Sequence, residues 1–404
     1  MTSQERIITA LRHREPDRIP LDLGGTESSG LTGIACNRLR EYLGLGPGKT
    51  RIFDVYQQIS KIEDDLREIL KPDTIPLLIE PLAWKPFILP DGSSCSIPEK
   101  WNPEKDSRGD WIVKDRKGVV SARMPSGGYY FEPAYAPLGG VTSPSELKAF
   151  ASDIESFDWP FYADESLHSI EDRARRLYEV ETDLAVVANL QLHLLAAGQQ
   201  LRGYETFMID LLLNKSLVHT LFEMLTDAYI RRCDSYLDRT GRYIQVVLVN
   251  DDLGTQHGPM LSQECYREML FPYQKRLFGF IREKTGAFIL FHSCGSVSEF
   301  IPSLIEAGVD ALNPVQVSAA GMETGQLKKQ FGRDLTFWGG GCDTQQVLRN
   351  GTAGQIRDEV KRRIDDLAPG GGFVFTQVHN IQPDIPPENI MVMLDAFYQF
   401  RDYA

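Results

Sequence analysis

AFILFHSCGSVSEFIPSLIEAGVDALNPVQ, residues 287–316, contains one complete structural unit. AFILFH is an apolar run of strand length. The segment from 297 to 307 has helical spacing, Gly308 can stop it, and DALNPV is a second short apolar run. A strand, a helix and a strand in that order form a parallel βα unit. Ser296 with Glu299 three residues on predicts a capping box for the helix, so HSCG falls between a strand end and a helix start.

The same rhythm extends in both directions. Candidate strands are RIPLDLG (18–24), TIPLLIE (74–80), DLAVVANL (183–190), IQVVLVN (244–250), AFILFH (287–292), DALNPV (310–315), LTFWGG (335–340) and GFVFTQVH (372–379). Eight strands with intervening helices predict an α/β fold, a single (β/α)8 TIM barrel spanning 1–404, with its active site at the C-terminal strand ends. No strand is followed by a G-x-G-x-x-G turn, so a doubly wound dinucleotide fold has no support. Residues 84–140, rich in Pro, Gly and aromatics and containing the hairpin-like WIVKDRKGVV, predict a β-rich excursion between the second and third barrel strands. Ser143 with Pro144 and Glu146 predicts a helix start, and Asp343 with Gln346 another.

Composition narrows the function classes. Of 404 residues 42% are apolar, enough for a large core, and the formal net charge is -13. A nucleic-acid partner needs a basic footprint, which this chain lacks. No apolar run is long enough for a membrane span and the charged first residues do not form a signal peptide, so a cytoplasmic protein is expected. The six cysteines are widely scattered and are expected to be reduced thiols.

His292 and Cys294 have the period-two spacing that puts both side chains on one face of extended backbone. Two such ligands do not hold zinc alone; a catalytic site needs three and an open position. Cys342 in WGGGCD and His379 in TQVHN also lie at predicted strand ends. Either completes a three-ligand Zn2+ site, and both together would close it. In VNDDLGTQHG (249–258), Asp251 and Asp252 cannot both face inward, so one is expected in the pocket and the other in a cap or turn. The pocket-facing carboxylate is a candidate to orient His292, to act as a general base or to bind a cation. Asp22, Glu27, Glu80, Asn189, Gln191, Asn313, Gln316 and Gln377 are further polar residues at strand ends, whereas Cys36, Cys95, Cys233 and Cys265 read as packing.

ERIITALRHREPDRIPLDLGG at the start, HSCGS after a strand, GVDALNPVQ, GGGCDTQ and HNIQPDIPPENI near the end together resemble the uroporphyrinogen decarboxylase superfamily. The resemblance covers most of the chain outside 84–140 and is close to the branch that contains cobalamin-dependent methyltransferases. It implies a single (β/α)8 barrel. The decarboxylases carry an arginine-rich element where this chain reads LDLGGTESSG, which removes the obvious clamp for porphyrin carboxylates. The methyltransferase branch uses an H-x-C…C zinc motif whose first half matches His292 and Cys294. Its last cysteine lies on the final strand, where this chain has His379, while Cys342 lies one strand earlier.

That branch implies zinc-dependent transfer of a methyl group from a methylated corrinoid (methylcobamide) to a small thiol. The expected partners are that thiol or another small substrate, a corrinoid protein as carrier of the methyl donor, and further copies of the chain. A lyase or decarboxylase acting on a small carboxylate is the first alternative, and a non-catalytic corrinoid- or tetrapyrrole-binding protein the second.

Overall fold

The computed structural model describes the chain except residues 47, 116, 158–164, 182 and 404 and the side chains of 180 and 181. Seven parallel strands form one curled sheet in chain order: Thr74–Leu77, Ala185–Asn189, Val246–Asn250, Phe288–His292, Ala311–Asn313, Thr336–Trp338 and Phe373–Val374. Each pairs with its neighbour in sequence, as successive βα crossovers require.

The eighth position is filled by residues 20–22. Phe375 N–H donates to Pro20 O and Asp22 N–H to Phe375 O, both at 2.9 Å, while Asp73 N–H donates to Leu21 O at 2.7 Å. The stretch predicted as a full strand over 18–24 is therefore a single bridge, Leu21 with Phe375. Pro20 has no N–H to continue the ladder, and Gly24, at φ +82°, turns the chain away.

Side chains alternate across the sheet with period two. Ala185, Val187, Val246, Leu248, Leu290, Ala311, Trp338 and Val374 fill the interior, and Ile7, Ala10 and Leu11 of helix Ser3–Leu11 pack into the same cluster. Val186, Val247, Val249, Ile289, Phe291 and Phe337 face the surrounding helices. Each such side chain contributes roughly 1.5–3 kcal/mol when fully buried.

The excursion is β-rich as expected. Trp84–Ile88 pairs with Ser94–Pro98, and Pro103–Lys105, Trp111–Lys114, Val120–Met124 and Glu132–Pro133 form an antiparallel sheet. Arg116, within the stretch WIVKDRKGVV, lies outside the described residues. This part has its own apolar cluster around Trp101, with Phe131 edge-on at 5.4 Å between ring centres.

Two helix starts differ from expectation. Ser296 caps nothing: a 3-10 turn at Ser298–Phe300 precedes the helix Ile301–Ala307, whose first turn holds a proline. Pro302 suits that position because its missing N–H would be unpaired there anyway, and Ser296 N–H is bound to Thr255 O instead. Gly308 ends the helix at φ +103°, as predicted. Asp343 accepts from the N–H groups of Gln345 and Gln346, so it caps the turn before the helix Val347–Asn350. Ser143 caps Pro144–Leu147 as predicted. No described helix is long and apolar enough to cross a membrane.

Candidate metal centre

Leu290 points into the barrel, so two residues later His292 does too, at the C-terminal end of its strand. Its Nδ1 lies 2.6 Å from Oδ1 of Asn313, the residue opposite it on the next strand. Asn313 Nδ2 donates to Trp338 O at 2.9 Å, which fixes Oδ1 as an acceptor; Ser28 Oγ donates to that oxygen as well. His292 Nδ1 therefore carries the proton, and Nε2 is left as a donor of electrons toward the pocket.

Ser293 turns the other way and accepts Leu253 N–H through Oγ. Cys294 returns to the pocket side with Sγ 3.4 Å from His292 Nε2, and its N–H donates to Asp252 Oδ1 at 2.8 Å. The turn that follows requires glycine: Gly295 sits at φ +85°, and a Cβ there would lie 2.4 Å from Gly254 C.

His379 enters from beyond the last strand. Its ring centre is 5.6 Å from that of His292, and one ligand atom from each of His292, Cys294 and His379 lies within 4.8 Å of the other two. Burial and the neighbouring His292 push the His379 imidazole down to about 4, so it is neutral at pH 7, the form that binds metal. Burial and the Asp252 carboxylate push the Cys294 thiol well above its ordinary value. A bound dication reverses that balance and favours the thiolate. Two imidazoles and one thiol with a free side fit a catalytic zinc ion by donor type and number.

Cys342 is not brought to this group. It is fully buried in the outer apolar layer, where the charges acting on it are Glu359, Asp343 and Arg363. Gly339 and Gly340, at φ +127° and +71°, redirect the chain after its strand and carry Cys342 out toward the helix Ala353–Leu367. Among the described residues, the one that joins His292 and Cys294 is His379.

The two aspartates divide. Asp251 is buried, and its oxygens accept the N–H groups of Leu194, Leu195 and Ala196 at 2.9, 2.8 and 3.2 Å, with Gln274 Nε2 at 3.1 Å. It holds the start of helix Leu195–Arg202. Asp252, half exposed, has Oδ1 3.8 Å from His292 Nε2. Asp251→Ala is expected to cost about 3 kcal/mol of stability in urea unfolding, combining a lost cap with buried donors left unpaired. A change below 0.5 kcal/mol, within the range of an ordinary surface substitution, would contradict the capping role.

These groups open into a pocket of about 630 Å³, counting its mouth, whose walls include Glu27, Gln57, Asn250, Asp252, His292 and His379. Other expected strand-end residues brace it: Asp22 accepts from Trp338 Nε1 and Thr74 Oγ1, Gln316 accepts Gly295 N–H, and Gln377 donates to Ser29 O. Glu80 instead pairs with Lys61 and Arg173. Sequence reasoning missed Ser28, Gln57 and Tyr130. The excursion brings Tyr130 Oη within 3.2 Å of Asn380 Oδ1, next to His379, and Asn380 Nδ2 donates to Gln57 Oε1 at 2.9 Å.

Residues 185–400, from the second strand of the curled sheet to the last helix and including all three grouped ligands, match the profile of the uroporphyrinogen decarboxylase (URO-D) family. The chain belongs to the URO-D family. Uroporphyrinogen decarboxylase from Pseudoalteromonas translucida is 27% identical over 190 residues, 45% of this chain and 48% of the relative. A Pseudomonas putida uroporphyrinogen decarboxylase is 30% identical over 183 residues, 44% and 48% of the two chains. The chain thus spans about half the length of the curated URO-D relatives it matches. A methyltransferase from Methanosarcina mazei aligns over 99% of both chains with a TM-score of 0.59 at 15% identity, which shows a shared fold. The excursion lies outside the URO-D match.

Proposed function

We propose that this member of the URO-D family is a zinc-dependent transferase that moves a methyl or related alkyl group from a methylated corrinoid to a thiol. The observation that carries the reading is the convergence of His292, Cys294 and His379 at the wall of an open pocket. Zinc held by these three would lower the pKa of an incoming thiol so that it reacts as thiolate at neutral pH. The chain's own residues prepare that event. Asn313 sets the His292 tautomer, and Asp252 anchors the Cys294 backbone beside the open side, where it can take the thiol proton. With a methylated corrinoid as co-substrate, transfer would form a sulfur–carbon bond at the expense of the donor's cobalt–carbon bond, whose electron pair would leave with the corrinoid.

Decarboxylation of a small carboxylate is the weaker reading, because no Lys or Arg lines the pocket among the described residues. The test uses zinc-loaded protein. Adding a small thiol should replace an oxygen by a sulfur neighbour at the zinc X-ray absorption edge, and added methylcobamide should then lose its methyl band in the visible spectrum. Release of carbon dioxide from a carboxylated substrate, with thiols leaving the zinc edge unchanged, would replace transfer by the lyase reading.

A further inference from the structure

His292 has an asparagine in register with it on each neighbouring strand, and the two amides are used differently. Asn313, on Ala311–Asn313, is fully buried and engaged at both ends: Oδ1 accepts from His292 Nδ1 and Ser28 Oγ, and Nδ2 donates to Trp338 O. Asn250, on Val246–Asn250, ends its strand on the interior face of Leu248 and lines the pocket. It is half-buried, and its carboxamide makes no hydrogen bond to any described residue. Adjacent strands run about 4.8 Å apart, so this open amide stands one strand spacing from a metal ligand.

The other polar walls outside the metal group are committed. Glu27 accepts Gln191 Nε2 at 2.8 Å, and Ser28 gives its proton to Asn313. Gln57 donates to Asp54 Oδ2 and accepts from Asn380 Nδ2. Asp251 holds the start of a helix, and Asp252 accepts the Cys294 N–H. Among the described walls outside the metal group, Asn250 therefore offers the side chain with both a donor and an acceptor open. Water can cover such a group in the empty pocket, but a ligand that displaces the water loses affinity unless it returns the hydrogen bonds. The wall carries carboxyl groups and no Lys or Arg, so an uncharged group suits it better than an anion.

We propose that Asn250 is a specificity-determining residue that hydrogen-bonds a hydroxyl group of an uncharged substrate bound beside the metal group. A hydroxyl can accept from Nδ2 or donate to Oδ1, so it answers either end of the amide. The inference rests on the transfer reading for the sulfur end of the molecule; the hydroxyl contact stands on Asn250.

The experiment uses zinc-loaded full-length protein, isotopically labelled at its asparagine side chains. It is titrated with 2-mercaptoethanol, with 1-propanethiol, which has the same length and no hydroxyl, and with 1,3-propanediol, which has no sulfur. Calorimetry, the side-chain amide spectrum and the zinc edge are followed together. The affinity for mercaptoethanol relative to propanethiol should fall about tenfold from wild type to Asn250→Leu, the loss of roughly one hydrogen bond, with zinc content retained. A purely structural role would weaken both thiols alike, so the ratio isolates recognition. Asn250→Val, well suited to a strand, provides the same ratio if Asn250→Leu does not fold. The amide signal that these variants remove should move further with mercaptoethanol than with propanethiol. Should the diol move that signal while no thiol changes the zinc edge, the Asn250 contact stands and the thiol reading fails. An affinity ratio unchanged in both variants, or an Asn250 signal that moves no further with mercaptoethanol than with propanethiol, would overturn the contact; a zinc edge that still responds to thiols leaves the transfer reading intact.

Discussion

The wild type is expected to purify with roughly one zinc per chain, His292→Ala, Cys294→Ser and His379→Ala each with far less, and Cys342→Ser with the wild-type amount. Three ligands are the minimum for a catalytic site, so removing one leaves a pair. The loss of affinity should exceed the roughly 10–100-fold that removal of an outer partner such as Asn313 costs. Cys342 lies in the outer apolar layer, beside Glu359 and Arg363, and its replacement is a packing change. Elemental analysis after gentle purification, with chelator competition for the affinities, decides the matter. The same donor set serves copper sites that add a long axial ligand, so the identity of the metal is part of the result. Metal retained in His379→Ala but lost in Cys342→Ser would reverse the assignment.

The barrel was legible because its interior layers write apolar runs of strand length into the sequence, and the seven laddered strands fall inside the runs read as strands. The first run was over-read. Ile19, Leu21 and Leu23 alternate like a strand, yet Pro20 and Gly24 leave only a bridge at Leu21. Ser296 and Glu299 have capping-box spacing, but the proline one turn later sets the helix start.

At the site, spacing placed His292 with Cys294 but could not choose between Cys342 and His379. That choice depends on the backbone after Trp338, where Gly339 and Gly340 take left-handed angles and turn Cys342 outward. The division of Asp251 from Asp252 had a signal. Continuing the period of two from Leu248 through Asn250 puts 252 on the pocket side, while Asp251, which also borders the pocket, turns its oxygens to the start of the helix Leu195–Arg202. Tyr130 had none, because its approach to Asn380 depends on how a separate apolar cluster packs, far away in sequence.

Asp73→Ala is expected to cost about 3–5 kcal/mol in stability, the usual loss when a buried charge loses its partner. Asp73 is fully buried immediately before the strand Thr74–Leu77. Its Oδ1 accepts from Arg6 Nη1 at 2.6 Å, Arg18 Nη2 at 2.8 Å and Ser3 Oγ at 2.7 Å. Oδ2 accepts from Arg18 Nη1 at 2.7 Å and from Leu21 N–H at 2.8 Å. One carboxylate therefore ties the helix Ser3–Leu11, the bridging stretch 20–22 and the neighbouring strand together where the sheet closes. Alanine leaves Arg18 without its carboxylate beside Arg6, which keeps Asp17, and frees the Leu21 N–H that the short first strand cannot satisfy by a ladder. Asp17 provides the comparison. It also pairs with Arg6, which holds its carboxyl down to about 2, but it is 41% exposed, so Asp17→Ala should cost at most about 1 kcal/mol. Urea unfolding of the two variants side by side measures the contrast, and the folded fraction of Asp73→Ala should still bind metal, since the metal group sits at the opposite strand ends. Equal and small losses for both would mean that the barrel is closed by backbone bonds and packing alone, with the buried carboxylate incidental.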